Sequence, residues 1–280
     1  METMDHSTDG DAGKPHGEAL PSPGASGNAA TQDPVEGSYW GFLAGLLTAA
    51  LALAALAAAI TTPPRSGPYC QAGCVTYPYI DVDAFVPRDY LWMYPTLMAP
   101  VAFTVLAVFA HQTAPAGWRP VGIAGISFAT MAAGILVVDY GLQLSVMQAS
   151  LLAGESSGLS LLSQYNPHGV FIGLENVGYG ALALTFVFLG VPLTRARSGR
   201  ARSAGWSLAL GGALGLLLLA VLTAVYQSAL DVRFEVLAIV LSYLVLITAG
   251  TLLGLEFSPW RAHQSHRSAS KTVNRGREAR

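Results

Sequence analysis

Six long apolar blocks occupy most of this 280-residue sequence, and they constrain the fold more than any other feature. A helix needs about 20 apolar residues to cross a hydrocarbon core about 30 Å thick, because each residue adds about 1.5 Å. Strands of a membrane barrel would be about half as long and would alternate in polarity. The sequence therefore predicts an all-α integral membrane bundle of six transmembrane helices. The predicted spans cover, approximately, residues 40–60, 91–111, 120–146, 169–191, 205–227 and 235–256.

The composition agrees with a membrane protein. Hydrophobic residues make up 52% of the chain and charged residues only 11%, against about 25% charged in soluble domains. Residues 1–37 precede the first block and contain seven acids but only one basic residue, Lys14. A secretory signal begins with a short basic leader, so we interpret the first block as an uncleaved membrane anchor.

The basic residues predict the orientation of the chain. With both ends in the cytoplasm, twelve Lys and Arg residues lie inside, and only Arg65, Arg88 and Arg233 lie outside. This asymmetry follows the positive-inside rule and predicts an N-in/C-in topology. The chain has thirteen Arg and two Lys and is rich in Ala, Gly and Leu. That bias is typical of GC-rich bacterial coding, so we predict the bacterial cytoplasmic membrane as the location.

Two tails flank the predicted transmembrane domain of residues 38–257. Residues 1–37 are predicted to be a disordered acidic cytoplasmic tail, because they cannot bury enough apolar area to offset the entropy of ordering. Residues 258–280 are predicted to be a basic cytoplasmic tail that is attracted to anionic lipid headgroups. A protein partner or a homo-oligomer is possible from the sequence, whereas no nucleic-acid partner is expected. The glycine pairs Gly41/Gly45 and Gly211/Gly215 favour close helix packing within the chain over a dimer seam.

Two carboxylates within the predicted spans are the first candidates for a functional site, because ionisable groups in a bilayer are costly. Asp139 in span 3 and Glu175 in span 4 are predicted to lie at one depth, in the outer half of the membrane. The candidate proton- or ligand-binding set is Asp139, Gln143, His168, Glu175, Asn176 and Tyr179. Nearby carboxylates cannot both ionise cheaply in low dielectric, so they would hold a proton or share a cation.

Other interpretations of these residues stay open. Protonated Asp139 and Glu175 could simply hydrogen-bond to neighbours and hold the bundle together, and catalysis is a third possibility. His168 could titrate near neutral pH. Alternatively, it belongs only to the capping of span 4, where Asn166 suits the N-cap and Pro167 the first helical position.

The two cysteines, Cys70 and Cys74, fall in the first outer loop, where a structural disulfide is favoured. A redox pair is the alternative, although the spacing differs from C-x-x-C, and two thiols alone make a poor zinc site. Residues 154–158 match the G-x-S-x-G pattern, but no strand precedes them, so we interpret the match as chance. We expect no metal and no cofactor, and an enzyme is the less favoured class.

The run from Gln148 to Tyr179 reads QASLLAGESSGLSLLSQYNPHGVFIGLENVGY. It resembles a segment of uncharacterised multi-pass bacterial integral membrane proteins, and the resemblance implies a six-span bundle with no assigned activity. Three functions remain in view: a transporter-like or ligand-binding protein with a polar site between spans 3 and 4, a structural or accessory protein that binds a partner, and a membrane enzyme acting on lipid or thiol.

Overall fold

The computed structural model describes residues 34–230 and 232–259, with side chains from residue 39 onward. Both predicted tails lie outside the described residues, apart from residues 34–37 and 258–259. The disorder of the tails and the lipid attraction of the basic tail therefore stay predictions.

Six long helices form the protein, and each is long and apolar enough to cross a membrane. Within residues 34–230 and 232–259 the structure contains no β-strand. These findings confirm the predicted all-α bundle of six membrane-competent helices. The helices are α1 (Pro34–Thr61), α2 (Met93–Gln112), α3 (Arg119–Leu142), α4 (Val170–Leu193), α5 (Gly199–Tyr226) and α6 (Arg233–Glu256).

Three helices extend beyond the predicted spans. Helix α1 begins at Pro34 and α5 at Gly199, so both start in segments that the sequence analysis left outside the membrane. Helix α3 is followed without a break by a π-helical turn, Gln143–Met147, and by a short helix, Gln148–Leu152. Hydropathy locates the edge of the hydrocarbon layer, whereas backbone hydrogen bonds continue past that edge until a cap or a turn ends them.

The six helices form a closed ring in which each helix packs against its neighbours in sequence and α6 packs against α1. Helices α2, α4 and α6 also contact one another across the middle of the ring. The most apolar stretch of α4 is 67% buried, against 22% for α5 and 28% for α1. The bundle therefore has an inner group of three helices, α2, α4 and α6, and an outer group that faces lipid.

Small residues allow the close approach of α1 and α6. A Cβ atom added at Gly45 would lie 2.5 Å from Cα of Gly254 and 2.7 Å from the carbonyl oxygen of Gly250. Gly41 packs against Phe257 of the same chain. The predicted glycine motif of span 1 thus serves packing inside the bundle, as small residues commonly do in membranes.

We refer to the end of the bundle that carries the loop between α1 and α2 as the predicted outer face. Polar contacts connect the loops at this end. The loop between α1 and α2 is pinned by an ion pair in which Nε of Arg65 lies 2.8 Å from Oδ2 of Asp89. The hydroxyl of Ser163, between α3 and α4, donates to the carbonyl oxygen of Tyr79 at 2.8 Å. The first contact lies within the loop between α1 and α2, and the second joins that loop to the segment between α3 and α4.

Candidate functional site

The two carboxylates predicted from the sequence lie near each other inside the bundle. Asp139 stands near the end of α3 and Glu175 near the start of α4, and both are buried. Their charges are close enough to interact. Helices α3 and α4 are packed neighbours, so the equal depth predicted for the two acids brings them together on facing helices.

A third carboxylate, Glu235, joins this pair and was missed by the sequence analysis. It lies in the first turn of α6 and is buried. Its side chain is within hydrogen-bonding reach of Glu175 and close enough to Asp139 for their charges to interact. The sequence places Glu235 at the edge of span 6, where an acid suggests a helix start in water rather than a buried group. We call Asp139, Glu175 and Glu235 the carboxyl cluster.

Each member of the carboxyl cluster keeps one buried oxygen without a hydrogen-bond partner in the described part of the chain. These atoms are Oδ2 of Asp139, Oε2 of Glu175 and Oε2 of Glu235. Burying an ionised carboxylate without a donor costs several kcal/mol, even after the protein relaxes. A bound proton or a cation would therefore stabilise the cluster.

Three buried tyrosines, Tyr140, Tyr179 and Tyr243, extend from the cluster, and we call them the tyrosine chain. The hydroxyl of Tyr140 donates to Oε1 of Glu175 at 2.5 Å. Hydroxyl oxygens are 2.9 Å apart between Tyr140 and Tyr179, and 3.2 Å apart between Tyr179 and Tyr243. Of the three, only Tyr179 was predicted from the sequence, because it lies four residues after Glu175 on the same helix. Tyr140 and Tyr243 lie on α3 and α6, and sequence spacing does not show which residues of other helices face Glu175.

The far end of the tyrosine chain reaches α2. The hydroxyl of Tyr243 donates to Oγ1 of Thr96 at 2.8 Å, and the Thr96 hydroxyl donates to the carbonyl oxygen of Trp92 at 2.7 Å. The ring of Trp92 packs edge-on against Tyr140, with centroids 5.5 Å apart. Side chains from α2, α3, α4 and α6 are thus joined in one polar network through an apolar interior.

The other predicted site residues are Gln143, Asn176 and His168. Gln143 is buried, and its Nε2 donates to the carbonyl oxygen of Leu162 at 2.5 Å, so it fixes the loop that follows α3. Asn176 is half-buried, and its Oδ1 has no partner among residues 34–230 and 232–259. His168 lies exposed, just before α4.

The predicted capping of α4 is wrong in its position. The helix begins at Val170 with Gly169 at the N-cap, so Asn166 and Pro167 lie before the helix. Oδ1 of Asn166 instead accepts a hydrogen bond from the backbone N–H of His168 at 3.0 Å. Asn166 therefore closes a local turn, as Asn side chains do by bonding to the backbone two residues on.

A cleft of about 310 Å³ opens beside the carboxyl cluster, and we call it the outer cleft. It lies between the end of α1, the start of α6 and the loop that follows α1. Glu235 forms part of its wall, so the cluster is adjacent to the cleft through this side chain. Much of the lining is apolar and includes Leu56, Ile60, Trp92, Val236, Ile239 and Val240.

Arg65, which lines the outer cleft, is already paired with a carboxylate. Its hydrogen bond to Asp89 is the main reason that the pKa of Arg65 is raised above its usual value. The guanidinium also lies 3.8 Å from the ring centroid of Phe85. The hydroxyl of Tyr165 donates to the same Asp89 oxygen at 3.4 Å, and burial raises the pKa of Tyr165. Arg65 therefore stays charged but is committed to Asp89.

Cys70 and Cys74 form a disulfide, so neither carries a free thiol. Over the described ranges, no three His, Cys, Asp or Glu side chains are arranged to hold a metal ion. Comparisons with protein-family models, with curated proteins and with solved structures find no match to this chain. The site's chemistry therefore rests on its geometry.

Proposed function

We propose that this multi-pass membrane protein binds protons at the carboxyl cluster and couples them to a small ligand in the outer cleft. The proposal is supported by two buried acids, Glu175 and Glu235, that lie within hydrogen-bonding reach of each other. Each keeps one buried oxygen without a partner within the described ranges. Two neighbouring carboxylates in low dielectric cannot both be ionised at low cost. A proton held between them removes the repulsion and supplies the missing donor.

A count of hydroxyl hydrogens supports at least one carboxyl proton. Five contacts link Glu235, Glu175, the tyrosine chain and Thr96, and the three tyrosines supply three hydrogens. With the Thr96 hydroxyl donating to Trp92, a hydrogen in every contact requires two carboxyl hydrogens, and Glu175 then donates to Tyr140 instead of accepting from it. If Thr96 turned its hydroxyl toward Tyr243, one carboxyl hydrogen would suffice.

The network therefore has a one-proton and a two-proton arrangement, which differ by one carboxyl proton and by the rotation of hydroxyl groups. Each tyrosine hydroxyl can donate one hydrogen and accept another, so the direction of the whole chain can reverse. When the direction reverses, protonation of the carboxyl cluster changes whether Thr96 on α2 donates or accepts a hydrogen bond. This is the behaviour expected of a proton-binding site that senses or drives a change elsewhere in the bundle.

Proton counting tests the proposal. Purified protein in lipid nanodiscs would be taken through a stepwise rise in pH in weak buffer, and released protons would be measured with an indicator dye. We expect wild type to release protons that Glu175→Gln and Glu235→Gln do not release. Glu256→Gln, at the opposite end of α6, is the matched control. Equal proton release by wild type and both cluster variants would overturn the proposal.

A structural or accessory role is the second candidate, because the polar network ties together four helices, α2, α3, α4 and α6. In that case the hydroxyl and carboxyl groups would contribute stability alone. Variants of the cluster would then unfold more easily, while the number of protons released by the folded protein would not depend on them.

We further propose that the protein lies in a bacterial cytoplasmic membrane with both ends in the cytoplasm. The distribution of basic residues supports this orientation, and a disulfide in the loop after α1 suits an oxidising compartment. A membrane-impermeant maleimide should label Cys70 and Cys74 in intact cells only after treatment with a reductant. Labelling that requires opening of the cells would reverse the orientation.

A further inference from the structure

The outer cleft has the size and lining of a binding site for a small organic molecule. Its volume of about 310 Å³ lies at the lower end of the roughly 300–1,000 Å³ of typical ligand sites. Aliphatic side chains of α1 and α6 line the cleft, including Ile60 and Val236. Such sites combine an apolar lining with a few polar groups that orient the ligand.

The polar group at the inner wall of the cleft is Glu235. It is nine-tenths buried, lines the cleft, and has an Oε2 atom with no partner among the described residues. Arg65 at the rim is already paired with Asp89. The pair of Glu235 and Glu175 carries a net negative charge whenever it holds fewer than two protons, and that charge favours a cationic group over an anionic one.

Aromatic rings in the cleft wall add to this preference. Trp92, Tyr69 and Tyr165 all line the cleft. The faces of Trp and Tyr attract ammonium groups, most strongly where water is excluded. A carboxylate together with aromatic rings is the combination that recognises alkylammonium ions.

We infer that the outer cleft binds a small amphipathic organic cation, with the ammonium group against Glu235 and the apolar portion between α1 and α6. The cation would replace the proton between Glu235 and Glu175 and would balance the negative charge of the carboxylates. Binding and proton release are therefore linked, and this linkage rests on the proposed function. The cation should bind more tightly as the pH rises, because protons compete for the same carboxylate.

Benzyltrimethylammonium is a suitable probe, and calorimetric titration in nanodiscs of zwitterionic lipid measures its binding. Zwitterionic lipid limits attraction of the cation to the bilayer. We expect saturable binding to wild type and a loss of about tenfold or more in affinity for Glu235→Gln. Benzenesulfonate, an anion with the same ring, should not bind.

A second pair of variants tests the cleft without touching its carboxylate. Val236→Trp places an indole in the cleft and should weaken binding about tenfold or more. Val221→Trp makes the same change on the exposed surface of α5, so binding should equal that of wild type. Each variant is compared with wild type for helical content and elution volume.

The outcomes separate this inference from the proposed function. No saturable binding of the cation, equal binding by Glu235→Gln, or preferential binding of the sulfonate would overturn the inference, even if proton release follows the carboxyl cluster. Cation binding that depends on Glu235 but is independent of pH would support the cleft and contradict the linkage to protons.

Discussion

The carboxyl groups of Glu175 and Glu235 lie within hydrogen-bonding reach of each other, although they stand on α4 and α6. Both helices belong to the inner group of the bundle, and Glu235 also forms part of the wall of the outer cleft. Glu175 also accepts a hydrogen bond from Tyr140. The pair thus connects the outer cleft on one side with the tyrosine chain on the other.

Replacing Tyr140 by Phe should destabilise the protein. The substitution removes the hydroxyl that donates to Glu175 and contacts Tyr179, and it leaves a buried carboxylate oxygen without its donor. We expect a loss of about 1–2 kcal/mol in the free energy of unfolding, measured in detergent with a denaturant. Tyr94→Phe, on the exposed face of α2, is the control. Equal stability of the two variants would show that the hydrogen bonds of Tyr140 contribute nothing.

Replacing Arg65 by Met should leave Asp89 buried with an unpaired charge. The expected loss is about 3 kcal/mol, at the low end for a broken buried ion pair, because the side chain of Arg65 is 22% exposed. Combining Arg65→Met with Asp89→Asn should restore part of the stability, since the unpaired charge is removed. A double variant no more stable than Arg65→Met would count against this account of the loop.

Tyr165 should contribute to a loss of stability at alkaline pH. Burial raises the pKa of Tyr165 above its ordinary value of about 10. The unfolded chain then releases this proton at a lower pH than the folded protein. Stability from Tyr165 is therefore complete below about pH 10 and declines as the pH rises toward the folded-state pKa.

The variant Tyr165→Phe should show a shallower decline of unfolding free energy above about pH 10. The slope should be smaller by at most about 1.4 kcal/mol per pH unit, which is the effect of one proton. Tyr77→Phe, at a side chain that is 78% exposed, should keep the slope of wild type. If Tyr165→Phe and wild type decline in parallel, the burial of this hydroxyl has no effect on folding.

Replacing Gly45 by Val should disrupt the contact between α1 and α6. The new side chain would meet the backbone of Gly250 and Gly254, which cannot move aside without separating the helices. Overpacking of this kind costs about 1–3 kcal/mol. Gly134→Val is the matched control, because a Cβ atom added at Gly134 meets nothing within 4 Å. Comparable unfolding free energies for the two variants would contradict the packing described for α1.

The six spans could be predicted from the sequence because length and apolarity alone decide whether a helix can cross a membrane. The arrangement of the helices could not, since the side chains that face lipid are as apolar as those that face the interior. Val240, which lines the outer cleft, and Leu246, which is fully buried, look alike in sequence although they stand on different faces of α6. The inner position of α2, α4 and α6 emerges only from packing.

The candidate site was predictable in part for the same reason. Asp139 and Glu175 stand out as acids inside apolar blocks, and equal depth on consecutive helices brings them together. Glu235 lies at the edge of its block, where an acid is common, so its burial depends on the tertiary fold. His168 was included in the candidate set as part of the start of span 4, but α4 begins at Val170, and His168 lies outside the helix.

A proton shared by Glu175 and Glu235 in the folded protein can be observed directly. Infrared spectroscopy of protein in nanodiscs at neutral pH, with carboxyl-labelled glutamate to identify the band, detects the C=O stretch of a protonated carboxyl group directly. The account predicts such a band in wild type and in Glu256→Gln, and its loss or displacement in both Glu175→Gln and Glu235→Gln. A wild-type spectrum with only ionised glutamates, or a protonated band unchanged in both cluster variants, would contradict it.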